Sequence, residues 1–437
     1  MNRDSTDDVP LAAKDLWLRK QDRPVLIAVR WVATCAIITA LITSSKIAAL
    51  LGTIAFFIQT LHNSARRRLY LQNLFGLPAL REYGPEPRET PGVTVVVPGR
   101  NEVDAIVEAG RSVVALNYPN REIIFVNDHS TDETGALMDE IAAGNPNVRV
   151  LHNPAIEAGW QGKSNAIWSA VQSSDPQRPW LMFADADVVF HRDALRKAMA
   201  YAEVQGLDYL TCVLHIANGS LSEELYMPAP WSALIQGAHF ARLNDSRTAP
   251  IGVGAFVLVK RDVYIASGGH AAIRGLQPED TLLAALVKRY GGKVGVCWTS
   301  SMMHVRIYRG HRQLRDFIVR KIRFQNDSRI ARLLNRANII LIQDVLPAPV
   351  ALATATIQIA QGGFSLPLSA LGVSATAAFL SNVRSFEKVR LVAHMRTGLE
   401  WLHPVGALLR LYFYAIAVLQ IARGKGMEWR GRKFEQN

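Results

Sequence analysis

Trp180-Leu181-Met182-Phe183-Ala184-Asp185-Ala186-Asp187 is an apolar run that ends in two carboxylates separated by one alanine. A short, continuous apolar run bounded by polar sequence reads as a buried strand. Carboxylates carried to the edge of an apolar interior are costly unless a cation or hydrogen-bond donors meet them. Two oxygen-bearing side chains with few other protein ligands suit Mg2+ or Mn2+ that also binds substrate phosphates. The plain alternative is two surface acids in a turn. The carboxyl end of a strand favours the site, because open α/β sheets bind ligands there.

Working outward, further short apolar runs occur at Val93–Val97, Glu122–Val126, Val148–Leu151 and Asp208–Leu214. Helix-like segments lie between them, at Glu102–Leu116, Asp132–Ala143, Lys163–Ser173 and Asp193–Gln205. Strands alternating with helices imply an α/β fold with a doubly wound, mostly parallel sheet.

Polar motifs follow several of these strands. Val97-Pro98-Gly99-Arg100-Asn101-Glu102 ends the first strand and opens a helix. A helix start offers free N–H groups and a positive dipole end, suited to phosphate or to polar base and ribose groups. Asn127-Asp128-His129-Ser130-Thr131-Asp132 ends the next, with Asp128 able to accept hydrogen bonds from a ligand and Ser130 or Thr131 able to cap the helix. Gly162-Lys163-Ser164 offers close backbone approach and a compact positive charge, although its spacing is not that of a P-loop. Glu279 and Asp280 open an apolar helix, where acids complement the dipole; either can also serve as a general base. Arg320 and Arg323 stand three apart on one helix face, placed to clamp a diphosphate or to meet acidic lipid heads.

The chain has 437 residues, enough for a catalytic core and additional segments. Its 49 Lys and Arg against 37 Asp and Glu give a net charge of +12. No nucleic-acid-binding motif accompanies that charge, and the basic residues cluster beside apolar runs instead. Arg66, Arg67 and Arg68 follow one run; Arg423, Lys425, Arg430, Arg432 and Lys433 follow another. The partner they imply is the membrane surface, with no nucleic acid. Cys35, Cys212 and Cys297 form no disulfide framework or zinc spacing and read as buried small apolar residues in a reducing compartment.

Two apolar runs, Val25–Thr43 and Ile47–Leu61, follow a polar tail over 1–24. Basic residues on both outer sides predict a membrane hairpin over 25–62 with cytoplasmic ends; the alternative is one span, Ile47–Leu61, behind an interfacial helix. Pro78, Pro85, Pro87 and Pro91 mark a linker, expected over 63–91. The catalytic domain is expected over 92–340 and a C-terminal membrane region over 341–422, with a basic cytoplasmic tail over 423–437. Val345–Gln361 and Leu366–Val383 read as crossings. His403–Ile421, interrupted by Arg410, reads as an interfacial helix, which keeps the basic tail inside.

Taken together and in this order, the motifs over about residues 92–330 resemble the family 2 glycosyltransferases of the GT-A fold, in a membrane-bound branch. Gly159-Trp160 to Lys163, Asn244-Asp245 with Arg247, and Gly268-Gly269 followed by Glu279-Asp280 look closest to the glycosyltransferases associated with hopanoid biosynthesis clusters. Ceramide glucosyltransferase-like enzymes are more distant. The resemblance implies that Asp128 holds the nucleobase, with Pro98, Arg100, Asn101 and Glu102 around the nucleotide and Lys163 near it. It makes Asp187 a ligand of a divalent metal, Mg2+ or Mn2+, and Asp185 a contact to ribose or metal. Asp280 matches the base of the family's E-D motif. Arg320 and Arg323 match its Q/R-x-x-R-W motif, with Phe324 in place of tryptophan. Asn127 stands where the family usually has the first of two aspartates.

The implied activity is metal-dependent, inverting transfer of a sugar from a nucleotide-diphosphate donor to an acceptor hydroxyl, of a lipid or another acceptor. The implied location is the inner membrane, multi-pass, with the catalytic domain cytoplasmic. Two alternatives are a processive polysaccharide synthase and a catalytically silent membrane scaffold that keeps the fold. The apolar segments are few for a polymer-conducting pore. The intact Asp185/Asp187 pair and Glu279-Asp280 speak against silence.

Overall fold

Strand β1 (Val93–Gly99) carries a Val-rich sequence buried along its whole length, so both of its faces are covered. Around it lie β2 (Arg121–Asn127), β3 (Val148–His152), β4 (Trp180–Ala184), β5 (Val188–Phe190), β6 (Tyr209–Val213), β7 (His215–Ile216), β8 (Phe256–Lys260), β9 (Val294–Trp298) and β10 (Met303–Val305). The structure is a computed structural model. It describes residues 24–43, 45–75, 79–80, 86–237, 252–276, 278–299, 301–424, 427–429 and 432–434. Phe240, Asn244, Asp245, Arg247, the polar tail before residue 24 and parts of the basic tail lie outside the described residues.

The chain forms two compact units. One comprises residues 75–217 and 238–307; the other comprises 1–74, 218–237 and 308–437. The first holds a seven-stranded sheet in the order β3-β2-β1-β4-β8-β6-β9. β1 pairs in parallel with β2 and β4, and β2 with β3. β6 and β9 are also parallel, while β8 runs antiparallel between β4 and β6. The α/β, mostly parallel sheet thus has the expected class. A smaller sheet has the order β5-β10-β7.

The core of this unit is built from alternating strand residues such as Val95, Ile123, Phe125, Met182 and Leu258, with Ile106, Met138 and Leu195 from the helices. The register sets Cys212 opposite Cys297, both buried, with their sulfurs 3.4 Å apart. Cys35 departs from the expected burial and lies exposed on an apolar helix.

The second unit is helical. Helix Pro24–Thr43 is followed by Lys46–Phe75, which carries the helix through the first part of the expected linker. Ile330–Ile340 passes through a π-helical turn, Leu341–Val345, into Pro347–Gln361, with a bend of 55°. Such a turn frees a backbone carbonyl. Gln59 Nε2 and Asn382 Nδ2, from two other helices, both donate to Gln343 O at 2.6 Å. At Gly372 any side chain would meet Thr354 Oγ1 at 2.4 Å, so a small residue lets these two helices approach.

Lys46–Ala65, Leu366–Leu391 and Leu399–Ala422 are long and apolar enough to cross a membrane, and the bent pair qualifies if it is one span. Large apolar side chains on these helices face outward, among them Ile47, Leu352, Ile359 and Val373. Arg410, the reason for expecting an interfacial helix, is ion-paired with Asp344 inside the unit. Length and composition therefore qualify this segment as a span. Residues 218–237 and 308–340, expected in the catalytic domain, group with the apolar helices.

Candidate active site

The carboxyl ends of β1, β2 and β3 each lead into a residue with left-handed backbone: Asn101, His129 and Asn153, with φ of 54°, 57° and 44°. Asparagine tolerates this conformation, and histidine does so less readily. The three turns are stitched together. Asn101 N–H donates to Ser130 Oγ, and Asn101 Oδ1 accepts from Thr131 N–H at 2.8 Å. Glu102 N–H donates to Thr134 Oγ1 at 2.8 Å, and His129 N–H to Asn153 Oδ1 at 3.0 Å. Arg100 Nη1 donates to Asp128 O at 3.3 Å. Pro98 is a residue of β1 itself.

Ser130 and Thr131 therefore bind the neighbouring turn and do not cap the following helix. Asp132 Oδ1 accepts Thr134 N–H instead. Helix Ile106–Val114 also starts later than expected, leaving Arg100 to Ala105 as a loop. Asp128 is 5% exposed, with His129 Nδ1 3.2 Å from its Oδ1. Asn127 is used structurally: its Oδ1 accepts Ser130 N–H, and its Nδ2 lies 3.3 Å from His152 Nδ1.

A second cluster forms in the same unit. Lys163 stands in the first turn of helix Gly162–Gln172. Its Nζ is 2.6 Å from Asp185 Oδ1, at the end of β4, and 3.3 Å from Glu279 Oε1, at the start of helix Glu279–Arg289. The lysine is neither simply solvated nor poised alone; it joins two of the sequence motifs. Asp280, the next residue, accepts Gly254 N–H at Oδ2 and Thr281 N–H at Oδ1, both at 2.7 Å. A side chain at Gly254 would lie 3.1 Å from Lys163 Nζ and 3.3 Å from Asp280 Oδ2, so only glycine leaves both groups undisturbed.

Thr211 fixes that turn. Its hydroxyl accepts Val253 N–H at 3.0 Å and donates to Phe256 O at 2.9 Å. Glu279 as a partner of Lys163, and the Gly254 and Thr211 supports, were not found in sequence. Gly252-Val253-Gly254 just before β8 was the available signal.

The electrostatics follow from burial and pairing. Burial opposes charge on Lys163, but Asp185, Glu279 and Asp280 outweigh it and raise its pKa well above the ordinary lysine range. Burial pushes Glu279 up, and Lys163 more than reverses this, leaving it below the ordinary range. For Asp280, burial and then the Glu279 charge raise the pKa, with Lys163 offsetting part of the rise. Burial pushes neighbouring His270 down to about 4, so it is neutral, and its Nδ1 lies 2.9 Å from the Tyr264 hydroxyl. Here are two adjacent acids pushed in opposite directions, the pattern that separates an ion-pairing role from a proton-accepting one.

Three carboxylates gather around one ammonium, an excess of two negative charges in a site one third open to solvent at Lys163 and Asp185. Asp187 follows two residues after Asp185 and is partly exposed. Oxygen ligands and excess negative charge fit a hard divalent ion. Among the described residues no group of three or more His, Cys, Asp or Glu side chains is arranged to hold a metal ion by itself. That suits an ion completed by substrate phosphates.

Arg320 and Arg323 lie on helix His311–Gln325 in the helical unit, where Arg323 is buried and its Nη1 donates to Gln420 Oε1 at 3.2 Å. Phe324 is exposed.

Residues 94–268 match the family described as glycosyl transferase family 2. The chain carries a family 2 glycosyltransferase domain. A 4,4'-diaponeurosporenoate glycosyltransferase of Staphylococcus aureus (strain MRSA252) is 28% identical over 225 residues, covering 50% of this chain and 54% of the relative. The protein of that name from strain USA300 matches equally, at 28% over 225 residues. The chain thus spans about half the length of the curated relatives it matches. Among solved structures, a mannosyltransferase of Pyrobaculum calidifontis in complex with GDP-Man and Mn2+ covers 90% of this chain and 99% of its own, at 18% identity and a TM-score of 0.49. S. aureus TarS 1-349 with UDP-GlcNAc covers 79% and 97%, at 15% identity and a TM-score of 0.38. These matches do not show the closeness to hopanoid-cluster enzymes.

Proposed function

We propose that this glycosyltransferase domain moves a sugar from a nucleotide-diphosphate donor to the hydroxyl of a lipid acceptor at the inner membrane, with inversion at the anomeric carbon. The observation that carries the reading is the partly buried network at the ends of the strands. Lys163 pairs with Asp185 and Glu279, and the raised Asp280 carboxylate sits beside them.

Asp128 contacts the nucleobase, and Pro98, Arg100, Asn101 and Glu102 surround the nucleotide. Lys163 lies against the donor. Asp187 and Asp185 would hold Mg2+ or Mn2+, which would supply positive charge to the diphosphate. Asp280 has both oxygens oriented by backbone N–H groups. As general base it accepts the acceptor hydroxyl's proton while that oxygen attacks the anomeric carbon. The bond to the diphosphate breaks on the opposite face, and its electron pair leaves with the diphosphate. One displacement inverts the configuration, with no covalent sugar–enzyme intermediate.

The three candidate spans and their outward apolar side chains support a multi-pass protein, and the basic flanks support a cytoplasmic catalytic domain. A relative named for glycosylating 4,4'-diaponeurosporenoate supports a lipid-related acceptor. Membranes containing the protein, incubated with radiolabelled nucleotide sugars and a lipid extract, should carry label into the organic phase as a discrete product. Label found only in a polymer would favour the polysaccharide-synthase alternative, and no transfer from any donor would favour the silent scaffold.

A further inference from the structure

Inside the helical unit, Leu225, Phe386, Arg390, Glu400, His403 and Arg410 line a small cleft. Its ionisable members are withdrawn from solvent: Arg390 is 2% exposed, Glu400 8% and His403 7%. Ionisable groups among membrane-crossing helices are costly and mark functional sites. Most of these groups are satisfied. Arg390 donates to Glu224 Oε2 at 3.0 Å, to Glu224 O at 2.7 Å and to Arg396 O at 2.9 Å. Arg410 pairs with Asp344, and Glu400 Oε2 accepts Gly398 N–H at 2.8 Å.

Two atoms are not satisfied. His403 Nδ1 lies 3.1 Å from Glu400 O, and a carbonyl only accepts, so Nδ1 carries the proton. Nε2 of the neutral ring is then an acceptor, and it has no partner among the described residues. The ring is held in place beside Phe379 and Phe386, at 5.1 and 5.5 Å between centroids. Arg390 Nε–H is a buried donor, also without a partner. A buried acceptor and a buried donor left open are each expensive, and a hydroxyl answers both kinds of need.

Charge and size narrow the ligand. The two arginines are matched by Glu224 and Asp344, which leaves Glu400 as a surplus negative charge. An anionic headgroup is therefore disfavoured. The cleft is small, with about 10 Å³ of room for a water-sized group. The cleft is walled by helices Leu366–Val392 and His403–Ala422, from two of the candidate spans, so the molecule that reaches it laterally is a lipid.

We propose that this cleft binds the hydroxyl of a neutral membrane lipid, with His403 as the acceptor. The inference rests on the membrane reading of these helices and is independent of sugar transfer.

The full-length protein in detergent would be titrated with 1,2-dioctanoylglycerol, its 3-O-methyl ether and dioctanoyl phosphatidic acid. UDP and GDP binding would be followed in the same samples. The alcohol should bind saturably, and the ether and the phosphatidic acid about tenfold or more weaker. His403→Phe should lose the preference for alcohol over ether while nucleotide binding stays unchanged. Equal binding of alcohol and ether by the wild type, or no saturable binding because the cleft holds only water, would overturn the proposal without any variant. A preference for phosphatidic acid, or a preference for the alcohol that survives His403→Phe, would overturn it too. Loss of nucleotide binding in the wild type would instead count against the transferase reading.

Discussion

Asp280→Asn separates chemistry from architecture at the proposed base. In the native site one carboxylate oxygen accepts Gly254 N–H and the other accepts Thr281 N–H, each at 2.7 Å. Asparagine keeps one acceptor and turns its NH2 group toward the other N–H. One hydrogen bond is lost and two donors face each other, a stability cost of about 1–3 kcal/mol. Part of that is returned, because the neutral amide no longer repels Glu279. The chemical loss is larger. An amide does not accept the hydroxyl proton, and a positioned general base contributes roughly 10²–10⁴ in rate. At ~1.36 kcal/mol per decade this is about 2.7–5.4 kcal/mol of barrier. The assay is single-turnover sugar transfer, with nucleotide affinity measured by calorimetry on the same preparation. The expected result is a kcat lowered by at least about a hundredfold with nucleotide affinity nearly intact. Turnover within a few fold of wild type in a folded variant would remove Asp280 from the mechanism. Parallel loss of nucleotide affinity and turnover would make it a positioning residue.

Other outcomes follow from the same cluster. Since burial and Glu279 raise the Asp280 pKa, kcat/KM should fall on the acid side at a pH above the ordinary aspartate value of ~4. Stability has the opposite sense for this group: the folded state binds the proton more tightly, so the Asp280 contribution declines as pH rises through that window. An acid limb at the unperturbed value would contradict both, as read from a pH–rate profile and thermal midpoints across pH. Lys163→Met leaves Asp185 and Glu279 without their ammonium. The lysine is about one third exposed, so the cost lies between that of a surface pair and a buried one, about 2 kcal/mol, visible as a lower thermal midpoint. Gly254→Ala pushes a methyl group against Lys163 and Asp280 and should lower turnover roughly tenfold or more with little change in midpoint.

The alternation of short apolar runs with polar, helix-like segments was enough to read the sheet, because β1 and β4 are buried along their whole length and β2 along most of its length, and their sequences show it. Asp185, Lys163 and Asp280 were legible as separate motifs at strand ends or helix starts. Their union was not, since an ion pair between residues 163 and 279 depends on how far the chain travels between β3 and β9. Beyond the Gly252-Val253-Gly254 run, Gly254 and Thr211 carry no local signal of function: one supplies a backbone N–H, the other a hydroxyl to backbone groups. The capping expectation at Ser130 and Thr131 failed because three adjacent strand-end turns compete for the same donors and acceptors. Arg410 suggested an interfacial helix only because its partner, Asp344, lies 66 residues earlier.

Calorimetric titration of the purified protein with UDP and with GDP, in Mn2+ and in EDTA, bears most directly on the carboxylate site. If Asp185 and Asp187 hold a divalent ion against a diphosphate, one of the two nucleotides binds in Mn2+. Its affinity then weakens by roughly tenfold or more in EDTA and in Asp187→Ala. Failure of both nucleotides to bind, or binding that neither the chelator nor the substitution alters, would contradict a metal-assisted nucleotide-sugar transferase.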